Sequence, residues 1–387
     1  MAELALRYGT NPHQAPARVL RDGPLPFRVR GGAPGYVNFL DALNSWQLVR
    51  EVRAATGLPA AASFKHVSPA GAALGQPLDP AERRVFAAGS GELSPPAAAY
   101  ARARGADRMS AYGDWAALSD EVDQAAAELL RRETSDGIIA PGYAAEALEL
   151  LRAKRGGSYR VLEIDPRYRP PERERREVFG ITLEQQRNAA PIGRELLADI
   201  PTAARELPEQ VVPDILLALI TLKYTQSNSV CIVYRGQTIG IGAGQQSRIH
   251  CTQLAVEKAC AWYLRFHPAL QEVRFRRGVR RHDRDTWTTQ FVGGVQATED
   301  AWLRAQVERM PEPLSAAARR EWLAGMEGAV LASDGFFPHR DSIDVARRIG
   351  VRYVVQPGGS LRDADVVRAC DEHGLVMAMT GLRLFHH

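Results

Sequence analysis

Lys65 and His66 stand side by side in SFKHVSPAGAA (63–73), and together they can move a proton and steady a charge. An imidazole titrates near neutral pH, so His66 can accept a proton as a bond forms. A neighbouring ammonium would stabilise a developing oxyanion. It would also depress the imidazole pKa and keep the ring neutral, able to act as a base. The apolar run PAAASF before the pair reads as a buried strand, and Pro69 to Gly71 after it reads as a tight turn. A Lys-His dipeptide is also a common solvated surface pair. The buried strand that leads into this one is what favours chemistry.

Other polar groups follow expected strands. Gly142 follows DGIIA, Asp334, Phe336 and Asp341 follow VLAS, and Ser360 and Leu361 follow VRYVV. In a parallel α/β sheet such strand ends share one ligand-binding edge. GIGAGQQSRIH (240–250) lacks the third glycine of a dinucleotide fingerprint and the lysine of a P-loop. It leaves two readings: an anion site at a helix start with Arg248 in the first turn, or a tight strand-to-helix junction. KYTQSNSV (223–230) places hydroxyls and amides at the end of an apolar helix, to bind something or to cap the helix. Asp334 and nearby hydroxyls could hold a monovalent cation. In LRLFHH, Arg383 lies beside Leu384 and Phe385, so this segment is expected to pack down. No H-x-E with P-C-x-x-C and no G-x-S-x-G occurs, which excludes zinc deaminase and nucleophile-elbow chemistry.

The elements that must position these groups alternate. DALNSWQLVREVRAATG reads as a helix with Leu43, Trp46, Val49 and Val52 along one side. TSDGIIAPG reads as strand and turn, and YAAEALELLRAKRGG as a helix. PDILLALITLKYTQS is an apolar helix, CIVYRGQTIGIG a hairpin around Arg235-Gly236, and HCTQLAVEKACAWYLRFH a second helix. GAVLASDGFF, VRYVVQPGG and LVMAMTG read as strands separated by the helices DSIDVARRIG and SLRDADVVRACDEHG. The last opens on Ser360 and Asp363 in capping-box spacing. Such alternation implies a mostly parallel sheet. Polar stretches at 167–180 and 265–285 suggest boundaries, dividing the chain at 1–171, 172–265 and 266–387.

The chain has 387 residues, 45% of them hydrophobic and 24% charged, with a net charge of +4. That suits a globular protein of two or three domains. Its arginines far outnumber its lysines and are interspersed with acids, which favours a small anionic ligand over nucleic acid. Eighteen consecutive apolar residues never occur, so no membrane span is expected. MAELALRYGT lacks the features of a signal peptide. Four scattered cysteines point to a reducing, cytoplasmic setting and to no cysteine-built metal site.

LRYGTNPHQ, SFKHVSPAGAA, AAYARARGADRMSAYGD, SDGIIAPGY, KYTQSNSVC, GQTIGIGAGQQSRIHCTQLA, SDGFFPHRDS and LRLFHH, in this order, resemble the AICAR transformylase family. The resemblance covers essentially the whole chain. It implies formyl transfer from 10-formyltetrahydrofolate to the 5-amino group of AICAR in purine biosynthesis. The implied fold is α/β: two cytidine-deaminase-like α/β/α domains without zinc, around a smaller α+β domain. Homodimers whose active sites draw on both chains are implied too.

Matched motif by motif, the resemblance makes His66 the proton acceptor, Lys65 the stabiliser of the transition state, and Asn228 a further catalytic residue. It places Arg7, Tyr8, Gly142, Asp165, Arg248, Phe336 and Arg383 on AICAR, and Ile249, Asp341, Ser360 and Leu361 on the folate. A monovalent cation such as potassium is an expected accompaniment, and a separate IMP cyclohydrolase an expected partner, because LRYG begins at residue 6 with no cyclohydrolase segment before it. Gly335, His339 and Gly381 stand where the family tends to carry Ala, Phe and Asn. The alternative expectation is a catalytically silent AICAR-binding module that partners such a cyclohydrolase. Transfer to a related amine ribotide is a third.

Overall fold

The computed structural model describes residues 1–294 and 300–387. Strands β1 (Ala2–Leu6) and β2 (Ala17–Arg21) pair as an antiparallel hairpin. β3 (Phe27–Gly31), β4 (Ala60–Lys65), β5 (Ser68–Leu74), β6 (Asp114–Leu118), β7 (Ser135–Ala140) and β8 (Arg160–Ile164) enter a large sheet. β9 (Arg173–Val178) and β10 (Ile181–Gln186) form a second hairpin, almost wholly exposed. β11 (Val230–Tyr234), β12 (Gln237–Gly242), β13 (Ala329–Ser333), β14 (Val351–Gln356) and β15 (Val376–Met379) complete the large sheet. Its order is β15-β14-β13-β11-β12-β5-β4-β6-β7-β8-β3. The fold is mixed α/β around this central sheet.

The sheet is not mostly parallel, as alternation had implied. β13, β14 and β15 run parallel, and so do β6, β7 and β8. Between these trios every pairing is antiparallel. Loop length fixes two of these pairings: two-residue connections join β4 to β5 and β11 to β12, and so short a loop allows only an antiparallel return. Pro69, Ala70 and Gly71, read as a turn, lie inside β5. A register shift opposite them, between Ser63 and Phe64, leaves Ala70 without a partner and lets the strand accommodate the proline. β5 and β12 meet through one aligned pair, Ala73 with Gln237. The Gly236 carbonyl accepts from the Leu74 N–H, and Thr238 Oγ1 accepts from the Ala72 N–H.

Strand periodicity of two divides the core between the sheet's faces. Ala60, Ala62, Phe64, Cys231 and Val233 pack on the side of helices Tyr36–Thr56 and Val212–Lys223. Ala61, Val230 and Ile232 pack on the other side, with helices Pro95–Ala106 and Arg248–Leu264. Trp46, Val49 and Val52 are buried as the helical spacing predicts. That helix starts at Tyr36, before the expected DALN, because the Asn38 side-chain oxygen accepts the Gly35 N–H and caps it. The capping-box expectation for Ser360 and Asp363 is met only in part. The helix starts later, at Asp363 with Arg362 before it. Asp363 Oδ2 accepts the Ser360 N–H at 3.1 Å, but Ser360 Oγ accepts the Arg362 N–H at 3.1 Å within the preceding turn. A third, smaller core gathers Trp287, Phe291 and Leu303 beside Leu264.

The glycines of GIGAG have a packing cause. A Cβ on Gly240 would lie 2.0 Å from the Ala255 carbonyl oxygen, and one on Gly242 would lie 2.1 Å from that of Cys251. Helix Arg248–Leu264 therefore rests its backbone directly on β12. Gly240→Ala is expected to overpack this contact and destabilise the fold by about 3 kcal/mol. Urea unfolding would show a lower midpoint with an unchanged slope.

Candidate functional site

Strand directions decide which candidate residues can meet. The ends of β4, β12, β13, β14 and β15 and the start of β11 lie at one edge of the sheet. That edge carries Lys65, His66, Asn228, Arg248, Ile249, Phe336, Asp341, Ser360, Leu361 and Arg383. β7 and β8 run the other way, so Gly142 and Asp165 follow strands that end at the opposite edge. Gly142 was expected at the first edge; the antiparallel pairing of β4 with β6 reverses it. Arg7 and Tyr8 follow β1, outside the large sheet.

His66 and Val67 are themselves the turn between β4 and β5, with φ of 54° and 61°. Two successive positive φ values suit the right-handed twist of a hairpin, but glycine or asparagine usually supplies them. For a β-branched residue the conformation is an outlier, and strain of this kind costs about 1–3 kcal/mol and clusters at functional sites. His66 is exposed at the tip. Lys65 turns the other way, and its Nζ donates to the Tyr112 carbonyl oxygen at 2.7 Å. It lines a cavity of about 250 Å³ with Arg108, Tyr112, Glu133, Arg281 and His282. Beneath β4, Ser63 Oγ donates to Asp114 Oδ2 at 2.5 Å, and Arg104 pairs with the other oxygen at 2.7 Å. Burial pushes the Glu133 pKa up, but Arg108, Arg104 and Arg281 outweigh it and bring it down to about 2.

Asp41, which sequence reasoning passed over, holds this turn from below. Its carboxylate is 6% exposed, and Oδ1 accepts the Val67 N–H at 2.7 Å. Burial raises its pKa to about 6, against the lowering effect of that hydrogen bond and of His66. A signal was available: Asp41 shares the buried face of its helix with Ala42, Ser45, Leu48 and Val52. A carboxylate in an apolar stripe needs a reason to be there.

Asn228 belongs to a second cluster. Its Nδ2 donates to the Gln245 and Gln246 carbonyls at 3.0 and 3.2 Å, and its Oδ1 accepts from Arg248 Nη2 at 2.8 Å. Arg248 is 7% exposed and also pairs with Asp334 and donates to the Ser229 carbonyl at 3.0 Å. Asp334 accepts from Ser227 Oγ at 2.5 Å and from the Ser229 N–H at 3.0 Å. Arg248 is thus the side-chain cation beside this carboxylate.

The segment at 383–387 packs down as expected. Leu384 is buried, and Ser227 and His386 exchange hydrogen bonds of 2.9 and 3.0 Å. Arg383, exposed and 4.6 Å from the Phe385 ring, lines a cleft of about 970 Å³ with Arg175, Arg176, Arg187, Lys223 and His386. Phe336 is half exposed and Leu361 fully so, whereas Ile249, Asp341 and Ser360 are half-buried.

At the opposite edge, Asp165 is exposed, and its carboxylate accepts from Arg167 N and Nε at 2.9 and 3.2 Å. It lines a cleft of about 810 Å³ with Arg21, Arg28, Pro141 and Tyr168. Among the described residues, none of the helices is long and apolar enough to cross a membrane.

The family model described as AICARFT/IMPCHase bienzyme matches residues 1–258. The chain belongs to this bienzyme family. Relatives include the bifunctional purine biosynthesis proteins PurH of Roseobacter denitrificans and Sorangium cellulosum. Each is 31% identical over 99% of this chain, covering 59% and 58% of the respective relative. The PurH protein of Cereibacter sphaeroides is also 31% identical, with 59% of its length covered. The chain thus spans under two thirds of the length of these bienzyme-family relatives.

Asp41 has a counterpart in Asp214, whose pKa burial also raises to about 6. A carboxyl whose folded pKa lies above its unfolded value of 3.8 costs the fold no stability well below that value, where it is protonated in both states. It costs the most stability above the folded pKa. Asp41→Asn is therefore expected to stabilise the protein at pH 7 by up to about 3 kcal/mol. The gain should shrink as pH falls from 6 to 4. Denaturant melts at both pH values measure it.

Proposed function

We propose that this protein transfers the formyl group of 10-formyltetrahydrofolate to the 5-amino group of AICAR. The observation that carries the reading is Lys65 and His66 at a strained, two-residue turn in a member of the AICARFT/IMPCHase family. The amino nitrogen of AICAR, conjugated to its ring, is a weak nucleophile. As it bonds to the formyl carbon, its proton passes to His66. Lys65 leaves the Tyr112 carbonyl to meet the charge on the formyl oxygen. Collapse breaks the bond from carbon to the folate N10, which takes up a proton, leaving tetrahydrofolate and formyl-AICAR. Holding both substrates in line supplies much of the rate. Arg248 acts here chiefly through Asn228, whose side-chain oxygen it holds.

A homodimer suits the topology. β4 and β11 are three strand spacings apart, which puts His66 and Asn228 about 14 Å from each other across the sheet. Gly142 and Asp165 are further away still, at the other edge. In the proposed assembly a second chain brings its own edge to complete each site. The parallel trios on either side of the antiparallel centre support two cytidine-deaminase-like units, in residues 1–171 and 266–387, about a middle segment.

Purified protein mixed with AICAR and 10-formyltetrahydrofolate is expected to release tetrahydrofolate, seen by its absorbance. His66→Ala should lower kcat at least about 100-fold while AICAR affinity stays within about threefold. Tight AICAR binding without turnover would replace this reading with the silent binding module. Equal losses of affinity and rate in the variant would make His66 a ligand-holding residue.

A further inference from the structure

We propose that Asp41 is a positioning residue for His66: by accepting the Val67 N–H, it locks the two-residue turn from which the imidazole projects. This rests on the reading of His66 as proton acceptor.

Six carboxylates are buried among the described residues: Asp41, Glu82, Asp114, Glu133, Asp214 and Asp334. Arginines pair with four of them. Asp41 and Asp214 have no ion pair among the described residues, and the two share one geometry. Each projects from a helix on the same face of the sheet, Asp41 from Tyr36–Thr56 and Asp214 from Val212–Lys223. Each accepts, at 2.7 Å, the N–H of the second residue of a two-residue hairpin turn. Both residues of each turn have positive φ: His66 and Val67 at 54° and 61°, Arg235 and Gly236 at 50° and 72°.

The difference between the two turns is informative. Gly236 takes its φ without steric cost, as the second place of such a turn asks. Val67 does not, so its turn needs an outside hold more than the other does. A buried carboxylate without a cation is expensive. Spent on Val67, it fixes the peptide that adjoins His66 and so the direction of the ring. The Arg235-Gly236 turn has no such group to aim and sits at the far edge of the sheet, which makes it an internal control.

The test compares Asp41→Ala, Asp41→Asn and Asp214→Ala in the full chain. Asp41→Ala should lower kcat at least tenfold with KM for AICAR within threefold, and speed exchange of the Val67 amide proton at least tenfold. Asp41→Asn keeps an oxygen acceptor and should restore kcat to within about threefold of the parent. Asp214→Ala should speed exchange at Gly236 and leave kcat within twofold. Should Asp41→Ala fail to fold, Asp41→Leu fills the space without an acceptor and is expected to show the same kinetic loss. Parental kcat in Asp41→Ala, a similar kcat loss in Asp214→Ala, or no rescue by asparagine would overturn the proposal. If the parent protein transfers no formyl group, the proposed function fails on its own. Val67 exchange still decides: unchanged exchange in Asp41→Ala refutes the lock.

Discussion

The buried pair of Arg248 and Asp334 is the contact on which one edge of the sheet depends. It joins the first turn of a helix to the end of β13. Through Ser227, Ser229 and Asn228 it also ties down the start of β11. Leu384 donates its N–H to the Asp334 carbonyl, so segment 383–387 is drawn into the same knot. A buried pair of this kind adds little net stability over apolar packing, yet losing one partner costs about 3–5 kcal/mol. Its value here is placement: the guanidinium that neutralises Asp334 also orients the Asn228 amide. Gly335 belongs to the same constraint. A Cβ there would lie 2.7 Å from Arg248 Nη2 and 2.8 Å from Phe385, so the alanine expected by resemblance would have to displace both.

Much of the element order was legible in the sequence because it rests on local signals. The helix with Trp46, Val49 and Val52, the Arg235-Gly236 hairpin and the C-terminal alternation all appear where periodicity and turn residues put them. Strand direction was less legible. A proline and a glycine after Lys65 looked like punctuation, whereas the turn is made by His66 and Val67, the second of them a β-branched residue with poor intrinsic preference for it. Only tertiary support, from Asp41 among others, makes that choice affordable, and no local pattern reports it. The consequence spread: the unexpected return strand β5 lets β6 pair antiparallel with β4, and that pairing sent Gly142 to the other edge.

The candidate residues were legible by type rather than by contact. Arg248, Asn228 and Asp334 were each picked out, but not that the arginine is enclosed by the other two. The GIGAG glycines suggested a place for an anion, and the structure gives them a nearer cause in the backbone of the following helix. Tyr112, Asp114 and Arg104, which support Lys65 and its strand, had no sequence signal beyond ordinary polar residues near an apolar run. Their roles depend on pairings across tens of residues.

The junction of β5 with β12 has a mechanical consequence. The sheet's two halves meet there through a single aligned pair and a few flanking bonds, between segments more than a hundred residues apart. His66 lies on one side of that seam and Asn228 on the other. A molecule gripping both would act as a staple across this sparsely bonded seam, and its binding free energy would add to the work of prying the halves apart.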